Sequence, residues 1–236
     1  MIRIAAVGDV HYGMNCRDKL RHHFLKAHER ADLLLIAGDL TQSGSLPEAE
    51  ALAHDLSDLP IPVIVVLGNH DFHQNQETEI SALLKNRGII VLEGNSCSFV
   101  VRGNTVGIAG IKGFGGGFPG ASITEFGEPE MKAFARHCRL QSETLKETLE
   151  DMDAEYRFAL LHFSPVEGTL LGERKEIYPF LGSYLLAEAI DAAEINGVFH
   201  GHAHHGVEKS STPGGIPVRN VAQMVIREAY RVYSFS

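Results

Sequence analysis

The sequence predicts an α/β fold, and three observations carry that prediction. Short apolar, β-branched runs at residues 2–7, 33–37 and 63–67 each break off at glycine, at Gly8, Gly38 and Gly68, the pattern of buried strands opening into loops. Helix-compatible stretches at 17–30 and 47–56 separate them, and strand–helix–strand alternation implies a parallel sheet with crossover helices. The last third returns to the same alternation, with a strand at 158–162, a helix at 184–193 and a strand at 197–200.

The remaining elements follow in order. Residues 78–86 read as a helix, followed by strands at 89–92, 96–101 and 105–109. Turn dipeptides Gly94-Asn95 and Gly103-Asn104 lie between them, which predicts antiparallel pairing. Residues 113–120 are glycine-rich and read as a loop, either at the mouth of a site or on the ordinary surface. They are not read as a dinucleotide fingerprint, and no Walker lysine follows. A long polar helix is predicted over 141–152, and closing strands at 218–221, 224–227 and 229–234. With no internal repeat and no low-complexity linker, residues 1–236 read as one domain.

Composition narrows the function classes. The chain is 44% hydrophobic and 22% charged with a formal charge of −9, which disfavours broad electrostatic binding to a nucleic-acid backbone. The same charge is compatible with a small phosphorylated substrate, because bound divalent cations concentrate positive charge at one spot. Cys16, Cys97 and Cys138 are widely spaced with no Cys-x-x-Cys pair, so they read as reduced thiols rather than a zinc ribbon or redox motif. The first residues reach a charged motif too soon for a signal peptide, and no apolar run has the length of a membrane span. A cytoplasmic enzyme is the expectation.

The chemistry sits at strand ends. Asp9 and His11 follow the first strand, Asp39 the second, and Asn69, His70 and Asp71 the third; His162 ends a later strand, and His202 and His204 follow another. In α/β sheets the carboxyl ends of strands line one edge, where ligands bind. One aspartate after a strand is an ordinary helix N-cap, and one histidine near a turn is an ordinary surface residue. Five such clusters in one chain are neither. Carboxylate, amide oxygen and imidazole without thiolate suit Mn, Fe, Zn, Co or Ni better than a calcium cage. Asp39 is the candidate bridge between two ions, and glycine before most of these residues allows the backbone to turn sharply.

The series Gly8-Asp9-Val10-His11, Gly38-Asp39, Gly68-Asn69-His70-Asp71, His162 and Gly201-His202-Ala203-His204 resembles the signature of the calcineurin-like metallophosphoesterases. One departure stands at the fourth motif, where Leu161 rather than glycine precedes His162. The resemblance implies a four-layer sandwich of two mixed β-sheets flanked by helices. It implies two divalent or trivalent metal ions, one held by Asp9, His11, Asp39 and His204 and the other by Asp39, Asn69, His162 and His202. It further implies hydrolysis of a phosphate ester by a hydroxide held between the metals, with His70 as general acid and Asp71 orienting its ring. Lys112 and Arg17 are further candidates for contact with phosphate, against the ordinary role of a solvated cation. His200 and His205 read as packing or supporting residues.

Relatives that act as protein phosphatases carry an arginine shortly after the second motif. The stretch here, Gly38-Asp-Leu-Thr-Gln-Ser-Gly44, has none and resembles small-molecule phosphodiesterases, cyclic-nucleotide ones included. The alternatives are a phosphomonoesterase of the same fold, a non-catalytic metal-binding scaffold, and a binder that holds a nucleotide without cleaving it.

Overall fold

Two mixed sheets lie face to face between two layers of helices. The computed structural model describes residues 1–236. The first sheet contains β1 (Ile2–Val7), β2 (Leu33–Ala37), β3 (Val63–Val66) and β4 (Ile90–Val91) in parallel, closed at one edge by antiparallel β13 (Arg231–Phe235). The second is built on β5 (Asn95–Val101), β6 (Asn104–Ile111), β9 (Tyr156–Leu161), β10 (Gly197–His200), β11 (Lys209–Ser211) and β12 (Pro217–Asn220). Its inner strands β6, β9, β10 and β12 are parallel, and β5 and β11 are antiparallel edges.

Alternation along the strands explains the layering, because successive residues of a strand face opposite sides. Ile2, Ile4 and Ala6 point between the sheets and pack with Leu33, Leu35, Ile108, Phe158 and Phe199. Ala5 and Val7 point outward and pack with Phe24, Leu52, Ile80 and Leu84. These come from α1 (Arg21–Leu25), α2 (Leu46–Leu56) and α3 (Glu77–Asn86). The outer face of the second sheet buries Ala109, Ala159 and Leu161 against Leu145, Leu149, Leu186 and Ile190, from α4 (Pro129–Glu150) and α6 (Tyr184–Asp191). Two of the flanking helix starts are written into the chain. Ser45 and Glu48 form a reciprocal capping box on α2, and the Ser183 hydroxyl accepts from Leu185 N on α6.

Several elements differ from the sequence expectation. The stretch 17–30 is not one helix, because Asp18 sits in the left-handed region and its N–H, with that of Leu20, is drawn to the buried Asp55 carboxylate. Helix begins only at Arg21. Strand β4 pairs in parallel with β3, so the antiparallel reading holds for β5–β6 alone. The long helix starts at Pro129, where proline fits the first turn. Residues 224–227 are not a strand: α7 (Gln223–Ile226) is a single turn, tied to the end of β1 by Gln223 N donating to Gly8 O.

The glycine-rich stretch is not an open loop either. Its residues 113–118 are largely buried, and β7 (Gly117–Phe118) pairs with β8 (Ala121–Ser122) beneath α5 (Tyr178–Leu181). All three cysteines are free thiols. No helix is long and apolar enough to cross a membrane.

Candidate metal centre

The strand ends converge on one edge of the sandwich. Asp9 follows β1, Asp39 follows β2, Asn69 follows β3, His162 follows β9, and His202 and His204 follow β10. Four of the candidate ligands, His11 among them, hold backbone conformations that most L-amino acids avoid: φ is +55° at Asp9, +43° at His11, +46° at Asp39 and +69° at His202. Such strain persists where the surrounding structure over-determines it, and it gathers at functional sites. Much of the turning is thus done by the candidate ligands themselves. Gly38 turns as the sequence suggests, at φ +78°, while other glycines of the series serve close approach: a Cβ at Gly68 would strike Asp39, and one at Gly201 would strike the Asp9 carboxylate. They let neighbouring motifs approach.

The side chains form two groups that share Asp39. In the first, His204 Nε2 lies 2.9 Å from Asp9 Oδ1 and 3.5 Å from His11 Nε2, and His11 Nε2 lies 3.8 Å from Asp39 Oδ2. In the second, His162 Nε2 lies 3.4 Å from Asp39 Oδ1 and 2.9 Å from Asn69 Oδ1. The potential ligand atoms of Asp9, His11, Asp39 and His204 all lie within 4.8 Å of one another, and so do those of Asp39, His162 and His202. Asp39 turns one carboxylate oxygen to each group. Its Oδ1 also accepts from His70 N at 2.8 Å.

Backbone carbonyls select which imidazole nitrogen faces inward. His162 Nδ1 donates to Ala37 O (2.9 Å), which leaves Nε2 toward Asp39. His202 Nε2 donates to Phe180 O (3.2 Å), which leaves Nδ1 for the site. Fixing one ring nitrogen in this way sets the tautomer and aims the other. Burial, reinforced by His162, pushes His202 down to about 4, and burial lowers His11 against the pull of Asp39 and Asp9. These two rings are therefore neutral near pH 7, the form that ligates metal. His204 is raised by its hydrogen bond to Asp9. Burial works to raise Asp39, but His162, the His70 N–H, His70 and His11 together hold it below the usual carboxylate range. The buried Nδ1 of His11 has no partner. A buried carboxylate pair facing four imidazoles, with an amide oxygen added, fits divalent transition metals in type and convergence.

His70 stands beside the shared carboxylate without belonging to either group. Its Nδ1 donates to Gln42 O (2.8 Å), and its Nε2 lies 4.0 Å from Asp39 Oδ2. Asp71 does not orient this ring, contrary to expectation. The Asp71 carboxylate is fully buried and accepts from Leu40 N, Thr41 N, the Thr41 hydroxyl and Gly68 N, at 2.6 to 3.1 Å. It bolts the loop after β2 to the loop after β3, and so fixes Asp39 relative to Asn69. The ring of His70 is held instead by a backbone carbonyl, a role that no side-chain pattern advertises.

Arg17 is also placed elsewhere, with its guanidinium 3.1 Å from His54 Nδ1 on α2. Lys112 is half-buried rather than solvated, its ammonium 4.1 Å above the Phe72 ring. His205 is exposed, and its N–H donates to Glu173.

His200 is fully buried behind the centre, where Nδ1 donates to Gly201 O (2.8 Å) and Nε2 accepts from the Thr169 hydroxyl (2.9 Å). Burial pushes it down to about 4, only partly offset by the Gly201 bond. Unfolded, it titrates near 6.5, so between those values the unfolded chain holds a proton that the native state lacks. Its contribution to stability is complete above about pH 6.5 and is lost as pH falls toward 4, by about 3 kcal/mol in all. Urea unfolding of metal-free protein at pH 7 and pH 4.5 should show a smaller acid loss in His200→Gln than in the parent. Equal losses in the two proteins would contradict the assignment.

Comparison with known proteins agrees with this arrangement. A family model described as calcineurin-like phosphoesterase matches residues 2–206. The YpbG protein of Bacillus subtilis (strain 168), described as uncharacterized, is 31% identical over 113 residues, 47% of this chain and 41% of that protein. A probable cyclic nucleotide phosphodiesterase of Vesicomyosocius okutanii subsp. Calyptogena okutanii (strain HA) is 38% identical over 55 residues, 23% of this chain and 24% of that protein. The matched segments thus span less than half of these curated relatives. Among solved structures, the phosphopantetheinyl hydrolase PptH of Mycobacterium tuberculosis superposes with a TM-score of 0.71 at 13% identity, covering 99% of this chain and 96% of that one. At that identity the likeness is one of fold.

Proposed function

The chain belongs to the calcineurin-like phosphoesterase family, and on that premise we propose that it is a two-metal phosphodiesterase acting on small phosphate diesters. The observation that carries the proposal is the position of Asp39, buried between two ligand groups with one oxygen turned to each, beside a histidine that belongs to neither. The first ion is assigned to Asp9, His11, Asp39 and His204, and the second to Asp39, Asn69, His162 and His202. When bound, such ions polarise phosphoryl oxygens and acidify water, whose pKa falls from 15.7 toward about 7.

The chain's own residues do the rest. Asp9 accepts from His202 N with both carboxylate oxygens at 3.0 Å, which ties the two ends of the ligand series together. His162 and His202 are aimed by the Ala37 and Phe180 carbonyls. His70, with Nδ1–H held by Gln42 O, has only Nε2 free to carry a transferable proton. It is the general acid that protonates the departing alkoxide.

Two features support a diester over a phosphoprotein. The loop after Asp39 spends the Gln42 carbonyl on His70 and offers no guanidinium, and the segment shared with the probable cyclic nucleotide phosphodiesterase points the same way. Chelator-stripped protein, assayed with and without Mn²⁺ on bis-p-nitrophenyl phosphate and on p-nitrophenyl phosphate, tests the reading. Metal-dependent release that is faster on the diester is the expected result. Faster release from the monoester would replace the proposal with a phosphomonoesterase.

A further inference from the structure

The glycine-rich stretch, the short helix α5 and Lys112 have no part in the reaction as derived, yet all three meet beside His202. A continuous series of aromatic rings starts there. Phe163 packs on His202 with centroids 4.4 Å apart, Phe114 lies 5.8 Å from Phe163, Phe134 lies 4.8 Å from Phe114, and Phe180 lies 6.4 Å from Phe134. The series closes on itself, because the Phe180 carbonyl is the acceptor that holds His202 Nε2. Its inner rings are buried or half-buried, but Phe180 is 60% exposed. A large apolar ring exposed at the rim of a polar site offers a flat face on which a planar group can stack.

The glycines exist to build this wall. A Cβ at Gly115 would meet the Pro179 carbonyl at 2.6 Å and Phe180 Cα at 3.1 Å, and one at Gly116 would collide with the Cys138 thiol of α4. Only a backbone without side chains lets α4 and α5 close over the stretch, which brings Phe134 and Phe180 together around Phe114. At the inner end stands Lys112, whose own carbonyl accepts from His162 N. Its ammonium rests over Phe72 and lies 5.5 Å from Phe114 and 6.0 Å from Phe163, with no carboxylate in ion-pair contact. Asp39, Glu77 and Asp71 act on it only from beyond ion-pair distance, so the ammonium can still take an anionic ligand group.

We propose that this wall is the subsite for the organic group of the substrate, and that it takes a planar aromatic base joined to a phosphoryl group, a nucleoside phosphate. The base stacks on Phe180, with Phe134, perpendicular to that ring, holding it in place, and the phosphoryl oxygens lie toward Lys112 and the metal ligands. The inference rests on the phosphoesterase reading above for the position of the phosphoryl group, while the ring wall alone sets the preference for a base.

Isothermal titration of the Mn²⁺-loaded protein with AMP and with ribose 5-phosphate separates the two, since these ligands share ribose and phosphate and differ only in the base. AMP is expected to bind about 10-fold more tightly, the lower range of a base–aromatic stack. Phe180→Ala removes the ring and keeps the carbonyl that holds His202, and it should bring the AMP to ribose 5-phosphate ratio to about 1. Phe134→Leu, which keeps the packing volume against Phe114, should lower the same ratio. Lys112→Gln should weaken both ligands together and leave their ratio. Equal affinity of the parent for the two ligands, or failure of both to bind, overturns the subsite. A preserved AMP preference in a protein that does not hydrolyse bis-p-nitrophenyl phosphate overturns the proposed function and leaves the subsite standing.

Discussion

Replacing Asp39 by Asn is expected to lower turnover on a diester by about 10³-fold or more and to empty at least one metal position. The carboxylate is 1% exposed, and its two oxygens serve different groups, Oδ1 toward His162 and Oδ2 toward His11. An asparagine preserves the shape and one acceptor for His70 N, so the loop after β3 keeps its anchor. What it removes is the charge, and an amide cannot offer an anionic oxygen on both sides. Metal-assisted charge stabilisation is worth several kcal/mol, and each 1.36 kcal/mol is tenfold in rate; their quotient sets the size of the loss. Metal content by elemental analysis after Mn²⁺ loading and dialysis, measured beside turnover, checks the cause. Full metal content with turnover within 10-fold of the parent would contradict the shared role.

His70→Ala should cost about 10²–10⁴-fold in turnover while metal content stays at the parental level. The separation follows from position: the ring is hydrogen-bonded to Gln42 O and stands 4.0 Å from Asp39 rather than within either ligand group. The backbone bond from His70 N to Asp39 survives the change. A general acid matters most where the leaving group is a poor one. The deficit should therefore be large for an alkyl ester and small for a p-nitrophenyl ester, whose phenolate departs without a proton. A deficit equal for both leaving groups would assign His70 a structural role instead.

The candidate ligand cluster was legible in the sequence for a physical reason. A buried parallel strand is a short apolar run, its carboxyl end is marked by a break, and a polar residue just past the break must point at the edge of the sheet. Asp9, Asp39, Asn69 and His202 obey this, His162 follows its strand with no glycine break, and the structure brings all five to one edge. The layering was legible in the same way, through the alternation of Ile2 and Ile4 with Ala5 and Val7. Backbone partners left no such trace. Nothing in the residue types around Gln42 or Phe180 says that their carbonyls aim His70 and His202, because every residue has a carbonyl. Asp71 follows His70 directly in sequence, a position that suggests the ring's partner. Yet its carboxylate turns the other way, toward the N–H groups of Leu40, Thr41 and Gly68.

Local propensity misled where tertiary bonds decided. Met224-Val225-Ile226 has strand-like composition, yet Gln223 N is captured by Gly8 O and the chain makes a helical turn that buries Ile226. The glycine stretch reads as a flexible loop when only its own residues are considered. Its glycines become intelligible once Cys138, Pro179 and Phe180 are seen pressed against it.

Anomalous scattering from Mn²⁺-soaked crystals, recorded above and below the manganese edge, tests most directly whether two ions share Asp39. Two peaks are predicted, one among Asp9, His11, Asp39 and His204 and the other among Asp39, Asn69, His162 and His202, with the Asp39 carboxylate between them. A single peak, or density only at the acidic cluster of Asp18, His54 and Asp55, would contradict it.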